Sequence, residues 1–323
     1  MQRRAFLQLA GSAAGLAALM RPASGQSYPA RPVRFLVGFP AGGPNDILAR
    51  LMAEWLSRQL GQSFVVENMP GASGNIATEA VVHAPPDGYT LLLVGPANAI
   101  SASLYDNLRF DFLRDIAPVA GITREPLVMV AHPSVPARTA AEFIAQARAA
   151  PGSIRMASTG NGSSPHVSGE LFKMMTGLDL PVVHYAGGGP ALKAMIEGQA
   201  QVMFEPMSAA IEPIRSGRLR ALAVTTAVRS AALPDVPPLA DVVPGYEASA
   251  ATGIGVPKDT PAHVVDALNK AVNAAFADPA MQARLADTGG MMLAGSPAEF
   301  ARLLVDETAK WAKVVKASGA RPN

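Results

Sequence analysis

Strand-length apolar runs alternate with stretches of helical period along nearly the whole chain, and that alternation confines it to few folds. Residues 33–39 read as a strand. A helix through residue 60 follows, with Ile47, Leu48, Leu51, Met52, Trp55 and Leu56 on one face. The pattern recurs with strands at 64–66, 90–94, 127–131, 154–157, 182–185, 202–205 and 222–225. Helices fall between them, and Thr139 with Glu142 forms a capping box at the start of one. Thr260-Pro261, Asp278-Pro279 and Ser296-Pro297 predict three C-terminal helices, each a cap residue followed by proline. Such alternation predicts an α/β fold with two mainly parallel sheets flanked by helices. Sheets covered on both faces also account for a charged content of only 16% beside 49% hydrophobic residues. The proline-rich stretch 233–245 reads as punctuation between domains.

The ends of the chain decide what its charge means. The calculated pI is about 9.0 and the mean hydropathy is +0.20, which raises a nucleic-acid partner and a membrane span as possibilities. Residues 1–25 combine Arg3 and Arg4, a short apolar middle and small residues at Ala23 and Gly25. This is the pattern of an export signal cut between Gly25 and Gln26. The Arg3-Arg4-x-Phe6-Leu7 run points to a twin-arginine signal, and an ordinary secretory signal is the alternative. Of the 27 basic residues, Arg3, Arg4 and Arg21 fall in this segment, leaving 24 against 25 acidic ones. The basic excess therefore belongs to the signal, and no nucleic-acid partner is expected. Elsewhere no apolar run reaches the length of a membrane span. With no cysteine, disulfides, thiolate metal sites and cysteine nucleophiles are excluded.

Loops beyond the carboxyl ends of the strands are where such folds bind ligands. Two stand out: Phe39-Pro-Ala-Gly-Gly-Pro-Asn-Asp46 and Ser158-Thr-Gly-Asn-Gly-Ser-Ser-Pro-His166. Runs of small residues let successive amides converge on an anion, and the following helix adds partial positive charge. Ser158, Thr159 and Ser163 add hydroxyls. Asp46 reads first as the cap of its helix and second as a ligand contact. His166, at a helix start, reads as a capping or structural residue. The loops contain no dinucleotide fingerprint, Walker sequence or Gly-x-Ser-x-Gly elbow, and the five histidines show no metal-ligand spacing. No cofactor is expected.

The order and spacing of several short motifs then become specific. They include Phe39-Pro-Ala-Gly-Gly-x-x-Asp46, Val66-Glu-Asn-x-Pro-Gly-Ala-x-Gly74 and Pro86-Asp-Gly-Tyr-Thr90. Further on stand Ser158-x-Gly-Asn-Gly-Ser163 with His166, Tyr185-x-Gly187, Ser216-Gly217, Leu233-Pro-Asp-Val-Pro237 and Thr260-Pro261. From about Tyr28 to Arg321 the chain resembles the Bug-type solute-binding receptors of tripartite tricarboxylate transporters. The resemblance implies a periplasmic, monomeric, two-lobed Venus flytrap that closes on a small organic carboxylate and serves membrane transporter subunits or a sensor. Expected boundaries are 26–125 with 246–323 for one lobe and 126–245 for the other. It also implies backbone donation from Ala41, Gly42 and Gly43, and backbone and hydroxyl contacts from Ser158, Thr159, Gly162 and Ser163. Phe39 would wall the cleft and Asn98 would supply a polar side chain.

Three positions depart from the family pattern. Ala186 replaces a usual Lys or Arg, Ala251 a usual tryptophan, and Glu205 a usual aspartate. If the missing basic side chain served a second carboxylate, the ligand is a monocarboxylate or a less charged compound. His184 would replace that charge only when protonated. The other reading is a solvent-facing residue 186 whose loss means little. An exported α/β enzyme with His166 or His184 as base is the alternative function.

Overall fold

The computed structural model describes residues 28–287 and 290–322. The expected export signal lies outside the described residues. The chain runs β1 (Val33–Val37), α1 (Pro44–Leu60), β2 (Phe64–Asn68), α2 (Asn75–Val82), β3 (Thr90–Val94), α3 (Pro96–Leu104) and α4 (Phe112–Asp115). The long strand β4 (Ile116–Ala131) leads into α5 (Ala140–Ala149), β5 (Met156–Ser158), α6 (Ser164–Thr176), β6 (Val182–His184), α7 (Gly188–Ile196), β7 (Val202–Pro206), α8 (Met207–Arg215) and β8 (Arg220–Val224). Then come β9 (Ser249–Pro257), α9 (Ala262–Ala275), α10 (Pro279–Asp287), β10 (Met291–Met292) and α11 (Pro297–Ser318).

The strands form a mixed sheet in the order β2-β1-β3-β9-β4-β7-β5-β6, with β8 and β10 also pairing with β4. Its flanks are parallel: β2-β1-β3 on one side and β7-β5-β6 on the other. The centre is antiparallel, because β9 opposes both β3 and β4, and β4 opposes β7. The expectation of two mainly parallel sheets thus describes the flanks, while β4 and β9 join them into one mixed sheet. Helices α3 and α4 and the short β10 were not read, and β9 and residues 116–126 of β4, whose end was read as the strand 127–131, were missed for one reason. Pro118, Gly121 and Pro126 in β4, and Gly253 and Gly255 in β9, read locally as breakers. Gly253 is there for space. A Cβ would sit 2.4 Å from the Ala120 carbonyl and 2.3 Å from the Phe300 ring.

Helix starts follow side-chain chemistry more closely. Thr139 Oγ1 accepts from the Glu142 amide, and Ser296 with Glu299 forms a reciprocal box at α11. At α9 the cap shifts to Pro261, and the Thr260 hydroxyl donates to the Pro257 carbonyl instead.

Each half of the sheet has apolar clusters on its two faces. Val33, Phe35 and Val37 point to one side with Trp55, Leu56 and Leu268, whereas Leu36 points to the other with Val81 and Phe300. This is the period-two alternation of a strand buried on both faces. In the other half, Phe143, Phe172 and Phe204 occupy one face and Val128, Val130 and Met203 the opposite one. Helix α11 serves both halves: Phe300 and Leu304 pack in the first, Trp311, Val314 and Val315 in the second. Twenty-two residues give it a length of about 33 Å, enough to reach across.

Candidate ligand-binding cleft

Three helices begin at one cleft. Pro44 and Asn45 of α1, Pro96 and Ala97 of α3, and Ser164 and Pro165 of α6 all line a cavity of about 370 Å³. Each helix has proline in its first turn, where the absent N–H removes nothing the helix would have used. The remaining first-turn amides and the helix dipoles contribute partial positive charge at the cleft, and no cationic side chain lines it.

The loop after β1 is held from behind. Gly38 lies so close to Gly74 that a Cβ would stand 2.5 Å from the Gly74 Cα. Helix α1 is capped by Gly43 in an extended conformation, not by Asp46 as expected, since Pro44 already occupies the first turn. Asp46 is buried and reaches back into the loop. Its carboxylate accepts from the Gly42 amide (2.8 Å), Arg50 Nε (2.9 Å) and Asn68 Nδ2 (2.9 Å). Asn68 Nδ2 also donates to the Phe39 carbonyl at 3.0 Å. The Arg50 hydrogen bond, with the Gly42 and Asn68 donors, holds Asp46 down at about 2, whereas burial alone would raise it. Of the residues expected here, Phe39 lines the cleft; Ala41 and Gly42 are exposed beside it, Gly43 is half-buried, and Pro44 and Asn45 form the wall.

Asp46→Asn keeps the shape but loses the charge and one acceptor. The variant is expected to lose about 1.5–3 kcal/mol in urea unfolding at pH 7. Because the folded value lies below the usual 3.8, this contribution is complete above about pH 4 and vanishes as pH falls through 2. The stability difference should shrink accordingly in acid.

Asn98 stands behind the second wall. Its Oδ1 accepts from the Gly95 amide at 2.8 Å, and its Nδ2 donates to Thr78 Oγ1 at 2.9 Å. The Thr78 hydroxyl in turn donates to the Gly74 carbonyl at 3.1 Å. Both polar ends of Asn98 are used, so it shapes the backbone of Gly95–Ala97, which lines the cleft in its place.

The third wall is the loop after β5. Thr159, Gly162 and Ser163 line the cleft together with Asn161 and Ser164, which sequence reasoning passed over. Asn161 Oδ1 and Ser164 Oγ are buried there without a hydrogen-bond partner. Gly162 adopts φ +71, and a Cβ would stand 2.3 Å from Leu104 Cδ2 of α3, so glycine lets the two walls meet. Its amide donates to His166 Nδ1 at 3.0 Å. Ser158 is fully buried, and its Oγ pairs with His184 Nδ1 at 2.7 Å. The two imidazoles stack edge to face at 4.7 Å. Burial, followed by the charges of His184 and Lys173, lowers His166 to about 4; burial also lowers His184. Both shifts disfavour the charged imidazolium, and His184 does not line the cleft. Both rings act as loop supports.

Two carboxyl groups lie close together here, one of them in the cleft wall. Glu125 of β4 lines the cleft, and its Oε1 accepts from the Ser208 amide (3.1 Å) and hydroxyl (2.6 Å). Burial raises its pKa. Glu205 is 2% exposed and its Oε2 has no partner; burial, then the nearby Glu125 charge, pushes it up to about 8. Glu125 was missed, although the polar interruption Thr123-Arg124-Glu125 in the otherwise apolar run 116–131 was the available signal. Ala186 is exposed, and Ala251 is buried facing away from the cleft-lining Ala250 and Thr252. Among the described residues no group of three acidic or histidine side chains could hold a metal ion, and no helix is long and apolar enough to cross a membrane.

Known proteins share this sequence and fold. The family model described as "Tripartite tricarboxylate transporter family receptor" matches residues 48–320. Protein BugT of Bordetella pertussis is 35% identical over 99% of both chains. Among solved structures, R. palustris Rpa4515 with adipate has a TM-score of 0.81 at 36% identity, covering 92% of this chain and 100% of that one. MatC from Rhodopseudomonas palustris with bound malate has a TM-score of 0.77 at 32% identity, covering 89% and 100%.

Proposed function

This chain belongs to the tripartite tricarboxylate transporter receptor family, and from that premise we propose how it holds its solute. It is a receptor for a small organic carboxylate. One carboxylate sits where α1, α3 and α6 begin, accepting from first-turn amides and from the hydroxyls of Thr159, Ser163 and Ser164. The observation that carries this reading is the convergence of three helix starts on one cleft. Phe39 covers one side, and Asp46, Asn98, Ser158, His166 and His184 hold the loops. The lobes are 26–125 with 246–323 and 126–245, except that α3 and the end of α11 pack with the second lobe. Residues 1–25 direct export to the periplasm through a twin-arginine signal. The mature chain begins at Gln26, acts as a monomer and passes its solute to transporter subunits or a sensor.

The test is thermal unfolding and titration calorimetry of the mature protein with a panel of small mono- and dicarboxylates. A binding member at about 100 times its Kd should stabilise the fold by about 2.7 kcal/mol. No shift across the panel would remove the reading.

A further inference from the structure

The anion nest is one end of a longer space. A second chamber of about 540 Å³ adjoins it, and the two share Pro44, Asn45, Glu125 and Thr252 as walls. Resting on the receptor reading above, we propose that this chamber takes the apolar body of a ligand with a single carboxylate, so that the protein selects monocarboxylates bearing an apolar chain or ring over dicarboxylates.

The chamber's size lies within the range of small-molecule sites. One side is the apolar face of α1, formed by Ile47, Leu48 and Leu51. Leu48 and Leu51 are buried, but Ile47 is 54% exposed at the rim. An isoleucine left open beside a polar nest is a surface that an apolar ligand body would cover.

The charges argue against a second carboxylate. Arg50 and Arg284 both line the chamber, yet each already has an acid: Arg50 Nε meets Asp46 at 2.9 Å and Arg284 meets Glu54 at 2.9 Å. Glu54 is the other charged group on that rim. Glu125 stands at the junction between nest and chamber, with Ser208 as its hydrogen-bond partner and, among the described residues, no cationic side chain within 4.0 Å. A dicarboxylate would therefore carry its second charge past a carboxyl group toward cations that are already paired. A monocarboxylate places no charge in the chamber and gains about fourfold in affinity for each methylene it buries there.

Hexanoate and adipate, which share a six-carbon chain, form the matched pair, with acetate as the short reference. Titration calorimetry of the mature protein is expected to show hexanoate binding at least tenfold more tightly than both. Ile47→Asp should cut the hexanoate-to-acetate ratio at least fivefold, and the exposure of Ile47 keeps that variant folded. Glu125→Gln should narrow the gap between hexanoate and adipate at least fivefold. Equal or tighter binding of adipate overturns the inference and leaves the receptor reading standing. So does a hexanoate affinity no better than that of acetate, or one undiminished in Ile47→Asp, which would assign the apolar face to another occupant. Failure of all three acids and of the wider panel overturns both.

Discussion

One methyl group at position 38 is expected to abolish carboxylate binding. In Gly38→Ala the new Cβ would stand 2.5 Å from the Gly74 Cα and 3.1 Å from its carbonyl oxygen. Both obstacles are backbone, so no rotamer change relieves them, and either the loop after β1 or the turn before α2 must move. Overpacking of this kind costs about 1–3 kcal/mol. The functional loss should be larger, because the Gly74 carbonyl anchors Thr78, Thr78 anchors Asn98, and Asn98 fixes Gly95. A displacement at Gly74 thus reaches two of the three cleft walls. Calorimetry should record at least a hundredfold weaker binding, with the drop in stability followed by urea unfolding. Gly43→Ala is the control. Its Cβ would meet only the Pro40 carbonyl, at 3.5 Å, and its φ is negative, so near-normal binding is expected. Equal behaviour of the two variants would refute the argument.

Glu205→Gln should change the pH dependence of stability. Burial favours the protonated acid, so the folded protein keeps a proton that the unfolded chain releases above about 4.5. The stability contributed by this proton is complete below pH 4.5, declines through the interval to about 8, and is gone above it. A rise from 4.5 to about 8, at about 1.4 kcal/mol per pH unit, caps the change at about 5 kcal/mol. The glutamine variant carries no proton to lose. Relative to the native protein it should be more stable by about 2–4 kcal/mol at pH 8.5 and little changed at pH 5. Parallel urea curves at the two pH values would mean that Glu205 is solvated and ionised in the folded protein.

What could be read before folding was the chemistry that acts over a few residues. The loops after β1 and β5, the helix starts at Ser296 and Thr139, and the small residues at the nest all announce themselves locally. Asp46 did not, because its partner Asn68 meets it only when β2 lies beside β1. For Asn98, expected to supply a polar side chain, the distant partner Thr78 that engages its amide has no local signal. Strand β9 and the first part of β4 were hidden by residues that break isolated strands but suit these positions. Pro118 and Gly253 are tolerated through a register shift and a close helix contact, neither of which has a local pattern. The second chamber is assembled from α1, β4, α8, β9 and α10, elements scattered over more than two hundred residues.

The shared strand has a mechanical consequence. Because β4 belongs to both halves of the sheet, the halves are not hung on slack loops; a change in the angle between them must flex a ribbon of β4 and β9, as a leaf spring flexes. Its softer points are the breaks in pairing at Pro118/Ala120 and Gly121/Thr123. Glu125 and Thr252 sit on this ribbon and also form the walls common to the two chambers. A solute touching them loads the spring directly, so the stiffness of these two strands becomes part of the affinity.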